Sequence, residues 1–163
     1  MMYNIFPTKI ILEQLDQENV FHLVNRFAEY GDRSWEKVVD NPNIFIDKIE
    51  KWFDGKYEIV DGWIRSGYTS FDLHCDSHYG NQLVCVVQLY GQENSGGDLI
   101  LYDPSWRNPQ WMSDSKQNDV NTYAVSFKIG QVIVFPSEVW HKVTSYTGEI
   151  SRITLNLMIR RIE

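Results

Sequence analysis

Cysteine is scarce: Cys75 and Cys85 are the only two among 163 residues. Two thiols build no disulfide framework, so a reduced, cytoplasmic chain is the simplest expectation. Positive charge is also in short supply. Acidic residues outnumber Lys and Arg and the net charge is −7. That balance argues against nucleic acid or an anionic membrane as the main partner, because both require a basic face. No apolar run approaches the length of a transmembrane helix. The opening MMYNIFPTKIILEQ has no charged leader ahead of a long apolar stretch, so no signal peptide is expected. Internal repeats and low-complexity tracts are lacking as well.

What is abundant is core-forming material. Hydrophobic residues make up 43% of the chain and aromatics 14%, a composition at odds with disorder and sufficient for one domain spanning 1–163. Residues of about 8–56 read as helical. TKIILEQLDQENVFHLVNRFAEYG sets Ile11, Leu15, Val20, Leu23, Val24 and Phe27 on a helical stripe that Gly31 would end. NPNIFIDKIEKWFDGKY reads as a second helix, capped by Asn41 or Asn43, with Phe45, Ile46, Ile49 and Phe53 on one face and Gly55 as its stop.

From about 57 to 161 the pattern becomes short β runs separated by turn residues: KYEIVDGWIR, YTSFDLHCD, QLVCVVQLY, GDLILYD, TYAVSFKI, QVIVFPS, HKVTSYT and RITLNLMIR. About eight strands without intervening helices predict a mainly β fold, a double-sheet jelly roll (cupin-like) with the two N-terminal helices packed on one sheet. One connection, 104–121, is long and polar yet contains Trp106, Trp111 and Met112. Such a segment either lies over a binding mouth, where its tryptophans would touch substrate, or is a variable surface loop.

Chemistry concentrates in FDLHCDSHYGNQLVCVVQLY, residues 71–90. Strand alternation puts His74 and Asp76 on one face and turns Cys75 to the other. On its own this His-x-Asp also fits a surface hydrogen bond or a satisfied core histidine. Cys75 and Cys85 read as packing residues. His78 reads as a turn histidine, at the rim or exposed, and His22 as structural. In the next strand Val84, Val86, Gln88 and Tyr90 share a face. In the last, Arg152, Thr154, Asn156 and Met158 face opposite to Ile153, Leu155, Leu157 and Ile159. If both faces are covered, Arg152 sits inside and needs an anion; a carboxylate matches its donor fork. His141 and Arg152 have the spacing of a hairpin in which each opens a strand. Two imidazoles and one carboxylate are the facial triad of mononuclear non-haem Fe(II) sites, which leave positions open for substrate and oxygen.

His-x-Asp, a distant His and an Arg after ten intervening residues together resemble the Fe(II)- and 2-oxoglutarate-dependent oxygenases. NSGGDLILYDP and GQVIVFPSEVWHKV are similar to segments of the prolyl-hydroxylase-like branch. NIFPTKI and Trp63 resemble a small group of such oxygenases common in phages and marine bacteria. The resemblance covers roughly 63–159 and implies that His74, Asp76 and His141 bind Fe(II). It further implies that Arg152, assisted by Thr154, binds the distal carboxylate of 2-oxoglutarate. Tyr90 matches a strand tyrosine that reaches the same carboxylate, or is an aromatic core residue. Asn156 matches a polar position, Tyr68 either contacts the co-substrate or packs, and Trp140 packs under His141. The implied reaction consumes O2, converts 2-oxoglutarate to succinate and CO2, and hydroxylates a substrate that is not identified, a peptidyl or amino-acid side chain being suggested. Halogenases of this kind replace the carboxylate ligand with a small residue, so Asp76 favours hydroxylation. A cupin-like jelly roll that binds metal or carboxylate without turnover is the alternative.

Overall fold

The computed structural model describes residues 2–5, 8–32, 35–77, 80–103 and 122–163. The 104–121 segment with Trp106, Trp111 and Met112, and the turn residue His78, lie outside the described residues. Among the described residues ten strands and three helices follow in the order β1 (Met2–Ile5), β2 (Thr8–Gln14), α1 (Gln17–Tyr30), α2 (Trp35–Val38), α3 (Asn43–Glu50), β3 (Tyr57–Gly67), β4 (Phe71–His74), β5 (Leu83–Tyr90), β6 (Leu99–Tyr102), β7 (Thr122–Val125), β8 (Gln131–Pro136), β9 (His141–Val143) and β10 (Arg152–Arg161). A six-stranded sheet runs β1-β2-β8-β5-β10-β3 and a four-stranded sheet runs β4-β9-β6-β7. Every pairing is antiparallel. The mainly β, two-sheet jelly roll with its helices on one sheet is as the sequence predicts.

The six-stranded sheet separates two cores. On its outer face Leu23 of α1, Val38 of α2 and Phe45 and Ile49 of α3 pack on Cys85, Val87, Leu89, Leu155 and Leu157. Between the sheets Val84, Val86, Ile133, Phe135 and Met158 meet Leu99, Leu101 and Val125. Alternation along β5 sends Val84 and Val86 to one core and Cys85, Val87 and Leu89 to the other, which is why that strand reads as a near-continuous apolar run. Cys85 is fully inside the outer core, and burial pushes its thiol up to about 12. This fits the packing role expected of it.

Three expectations are corrected. Thr8–Gln14 is a strand rather than the start of α1. It pairs with β8, Ile11 against Val134; Ile10 enters the inter-sheet core and its neighbour Ile11 the outer core, a period of two that no helix allows. Asp16 marks the true start of α1, accepting a hydrogen bond from the Asn19 N–H at 2.7 Å. The expected stop holds: Gly31 ends α1 with φ +72°. Second, α3 ends at Glu50, ahead of Gly55, although the side chain of Asn41 does accept from the Asn43 N–H. Third, β9 and β10 are not a hairpin. His141 and Arg152 open consecutive strands, but those strands belong to different sheets, so the chain between them crosses from one layer to the other. That crossing brings the two residues to opposite walls of one pocket.

Candidate metal centre

His74 and His141 are direct cross-strand partners in the β4–β9 pair. Their ring centroids lie 4.3 Å apart. Asp76 is placed by something other than the expected strand alternation, because β4 ends at His74. Beyond that end the Asp76 N–H donates to the Ser137 carbonyl at 3.1 Å, and the carboxylate turns inward. Its oxygens stand 3.9 Å from His74 Nε2 and 3.4 Å from His141 Nε2. One ligand atom from each residue falls within a group whose members are all within 4.8 Å of one another.

The proton positions suit a metal. His74 Nδ1 is 2.6 Å from the Asp72 carbonyl and His141 Nδ1 is 3.0 Å from that of Val139. A carbonyl accepts only, so each Nδ1 carries the proton and each Nε2 presents a lone pair to the centre. Asp76 and His141 are 4% exposed. Desolvation, only partly offset by the Val139 carbonyl, lowers the His141 pKa from its ordinary value to about 4, so the ring is neutral and open to coordination at pH 7. Phe135 packs edge-on against it at 5.0 Å. The Asp76 side chain accepts no hydrogen bond among the described residues; its close polar neighbours are the two imidazoles. A buried carboxylate facing two lone pairs lacks a cation, and a divalent metal fits that gap.

The centre opens into a pocket between the sheets. Arg152, Thr154 and Asn156 of β10 line it, together with Val86 and Gln88 of β5, Leu99 of β6 and Val143 of β9. The face of β10 expected to be polar is the one turned to this pocket. Arg152 is 5% exposed. It donates to the Gly97 carbonyl at 3.1 Å and the Thr69 carbonyl at 3.0 Å, and among the described residues it has no acidic partner. Burial lowers its pKa, which makes an anionic ligand the more favourable for it.

Gly97 is required beside Arg152. Its φ is +76°, and a Cβ there would lie 2.5 Å from Arg152 Nη1. This gives the GGD segment its local reason.

Tyr90 does not join the group. It is 43% exposed and outside the pocket lining. The β5–β10 register shifts there: Thr154 opposes Gln88, but Ile153 opposes Tyr90. Leu89 is thus the extra residue of a bulge, which turns Tyr90 away from the row that Val86 and Gln88 continue. Tyr68 is also exposed; it stacks on Tyr146 at 6.0 Å and donates to the Glu149 carbonyl. His22 pairs with Asp40 at 3.0 Å, which fits its structural reading.

Tyr146 is a residue the sequence alone does not single out. It is buried, its ring lies 5.6 Å from the Arg152 guanidinium carbon, and its hydroxyl accepts from the Gln92 N–H and donates to the Ile150 carbonyl. Only the fold reveals this, because Tyr146 lies in the connection between the sheets, where no periodic pattern points to it. Arg65 and Phe71 are further lining residues without a sequence signal, whereas Gln88 lies on the β5 face that strand alternation sets out.

A two-sheet jelly roll with two histidines and a carboxylate converging on one pocket suits the class of mononuclear non-haem metal enzymes. The sequence profile of the family described as "Putative 2OG-Fe(II) oxygenase" matches residues 75–157, just over half of the chain. The protein therefore belongs to this family and is an enzyme that depends on Fe(II) and 2-oxoglutarate and uses O2. The match includes Asp76, His141 and Arg152 and begins one residue after His74. No curated protein matches the chain.

Among solved structures, the fold is similar to the non-haem α-ketoglutarate-dependent epimerase SnoN from nogalamycin biosynthesis. The TM-score is 0.70 at 10% identity, over 93% of this chain and 76% of SnoN. AviO1 from Streptomyces viridochromogenes Tue57 gives 0.68 at 11%, over 93% and 89%. The carbocyclase SnoK gives 0.65 at 9%, over 92% and 78%. Among the described residues no helix is long and apolar enough to cross a membrane.

Proposed function

We propose that the protein is a hydroxylase in which His74, Asp76 and His141 hold Fe(II), and in which Arg152, assisted by Thr154, anchors the distal carboxylate of 2-oxoglutarate. The observation that carries this reading is one pocket. It holds a buried carboxylate, two imidazole Nε2 lone pairs and a buried guanidinium with no acidic partner among the described residues.

Bound there, iron and 2-oxoglutarate supply the oxidising power, coupling decarboxylation to succinate with insertion of oxygen into a C–H bond. The chain's own residues do the rest. The carbonyls of Asp72 and Val139 fix both imidazole tautomers. Asp76 fills the third ligand place with a carboxylate, which supports transfer of hydroxyl rather than halide. The Arg152 fork, held by two backbone carbonyls, positions an incoming carboxylate without first having to be ordered. Val86 on one wall and Leu99 and Val143 on the other add apolar surface, which strengthens the charge interactions beside them.

The substrate class we favour is a peptidyl or amino-acid side chain, suggested by the prolyl-hydroxylase-like segments. A reducing, cytoplasmic setting accords with two free cysteines. The test is a screen of peptides, amino acids and nucleobases for substrate-dependent succinate release, followed by mass spectrometry under heavy-oxygen gas. The expected product gains one labelled oxygen atom. A product of unchanged mass would indicate an outcome like that named for SnoN. Absence of succinate with every compound would favour a metal- and carboxylate-binding jelly roll without turnover.

A further inference from the structure

The pocket contains a second guanidinium that the proposed reaction leaves unused. Arg65 lies on β3, directly opposite Thr154 in the β3–β10 register, and lines the pocket with Arg152. Its guanidinium carbon sits 4.3 Å over the ring of Phe71 and 5.7 Å from that of Trp63. Phe71 belongs to β4, so Arg65 reaches from one sheet to the other at the exposed rim, three residues along the strand from His74. Two aromatic faces hold the group in place, yet among the described residues it makes no hydrogen bond and no ion pair. A guanidinium has five donors, and those of Arg65 are not used by the described residues. Trp63, Phe71, Leu99 and Val143 give the same pocket apolar side chains.

Charge points the same way. Among the described residues the pocket lining holds two guanidiniums and one carboxylate, Asp76. With a divalent metal in place, three positive charges remain. The two carboxylates of 2-oxoglutarate neutralise two of them, and one is left in a protein whose net charge is otherwise −7.

Resting on the oxygenase reading above, we infer that the primary substrate is an organic acid with an apolar body, whose carboxylate is taken by Arg65. The stacked guanidinium forms a two-point fork, and the apolar side chains beside it receive the carbon skeleton. A carboxylate at Arg65 has two sources, the substrate or the metal-proximal end of 2-oxoglutarate, and the test separates them.

The Fe(II)·2-oxoglutarate enzyme is titrated calorimetrically without oxygen, using matched acid and amide forms of 3-phenylpropanoate, hexanoate and N-acetyl-leucine. At least one acid should bind roughly tenfold tighter than its amide. Arg65→Gln should remove that preference and Arg65→Lys keep part of it, because the charge survives while the fork is lost. The 2-oxoglutarate Kd, read from the visible absorption of its iron complex, should stay within about twofold in both variants. The inference is overturned if no acid is preferred over its amide, or if Arg65→Gln leaves the preference intact. It is also overturned if Arg65→Gln weakens 2-oxoglutarate as much as Arg152→Ala does, since Arg65 would then serve the co-substrate. A wild-type protein that forms no coloured complex would sink the oxygenase reading itself, a result distinct from all three.

Discussion

At the scale of single residues, burial decides what His141 does. Its ring stays neutral down to about pH 4, whereas in the unfolded chain it takes up a proton near its ordinary value of 6.5. Between those values the unfolded state binds more protons, so the stability tied to His141 is complete above pH 6.5 and is lost as pH falls towards 4. Urea midpoints of the metal-free protein should therefore drop across this window, and His141→Asn should flatten the drop; equal slopes in both proteins would contradict it. Arg152 yields a second expectation. Removing a charge-assisted pair costs about 2–3 kcal/mol, a rise in Kd of roughly thirty- to 150-fold. Arg152→Ala should raise the 2-oxoglutarate Kd by that much while iron binding changes by about twofold or less; an equal loss of both would show that Arg152 acts through the metal site. The residues carrying these effects were legible in the sequence because rare polar types stand out within apolar strands. Tyr146 was not, since an aromatic in an apolar-rich chain looks like core until its place beside Arg152 is seen.

Elements were legible where one period dominates. β10 alternates cleanly and β5 does so as far as Leu89, and α1 past Asp16 and α3 present helical stripes. β2 was hidden because Ile10, Ile11 and Leu15 also match a helical spacing. What settles its conformation is pairing with β8, a contact more than a hundred residues away. Tyr90 was misdirected by a feature of the same kind. A bulge adds one residue, and every side chain beyond it changes face. Tyr90→Ala should thus leave the 2-oxoglutarate Kd within about twofold of the wild type; a tenfold loss would mean that the bulge does not set its direction. Asp76 reaches the site despite lying outside β4, because a backbone hydrogen bond to Ser137 supplies the anchor that strand pairing was expected to give.

For the molecule as a whole, the division of labour runs through the six-stranded sheet. One face binds the helices and the other builds the pocket. Phe45, fully buried at the helix–sheet layer, lies in the outer core, on the face away from the pocket lining. Phe45→Ala should cost about 3–5 kcal/mol of stability and leave the 2-oxoglutarate Kd of the folded protein unchanged. A large loss of affinity in protein shown to be folded would mean that the two cores are coupled. The jelly roll itself could be read from eight short β runs, because turn residues punctuate a chain regardless of how its strands later pair. The split of β9 and β10 into separate sheets could not, because spacing alone fits a hairpin and a crossing equally well.

The central claim is that His74, Asp76 and His141 hold Fe(II) with an open edge beside Arg152. Titrating Fe(II) and then 2-oxoglutarate into the protein without oxygen tests it most directly. A visible charge-transfer band should appear, saturate at one equivalent of each and be lost in His74→Ala, Asp76→Ala and His141→Ala. The absence of a band in the wild type, or a band that survives removal of any of the three, would contradict it.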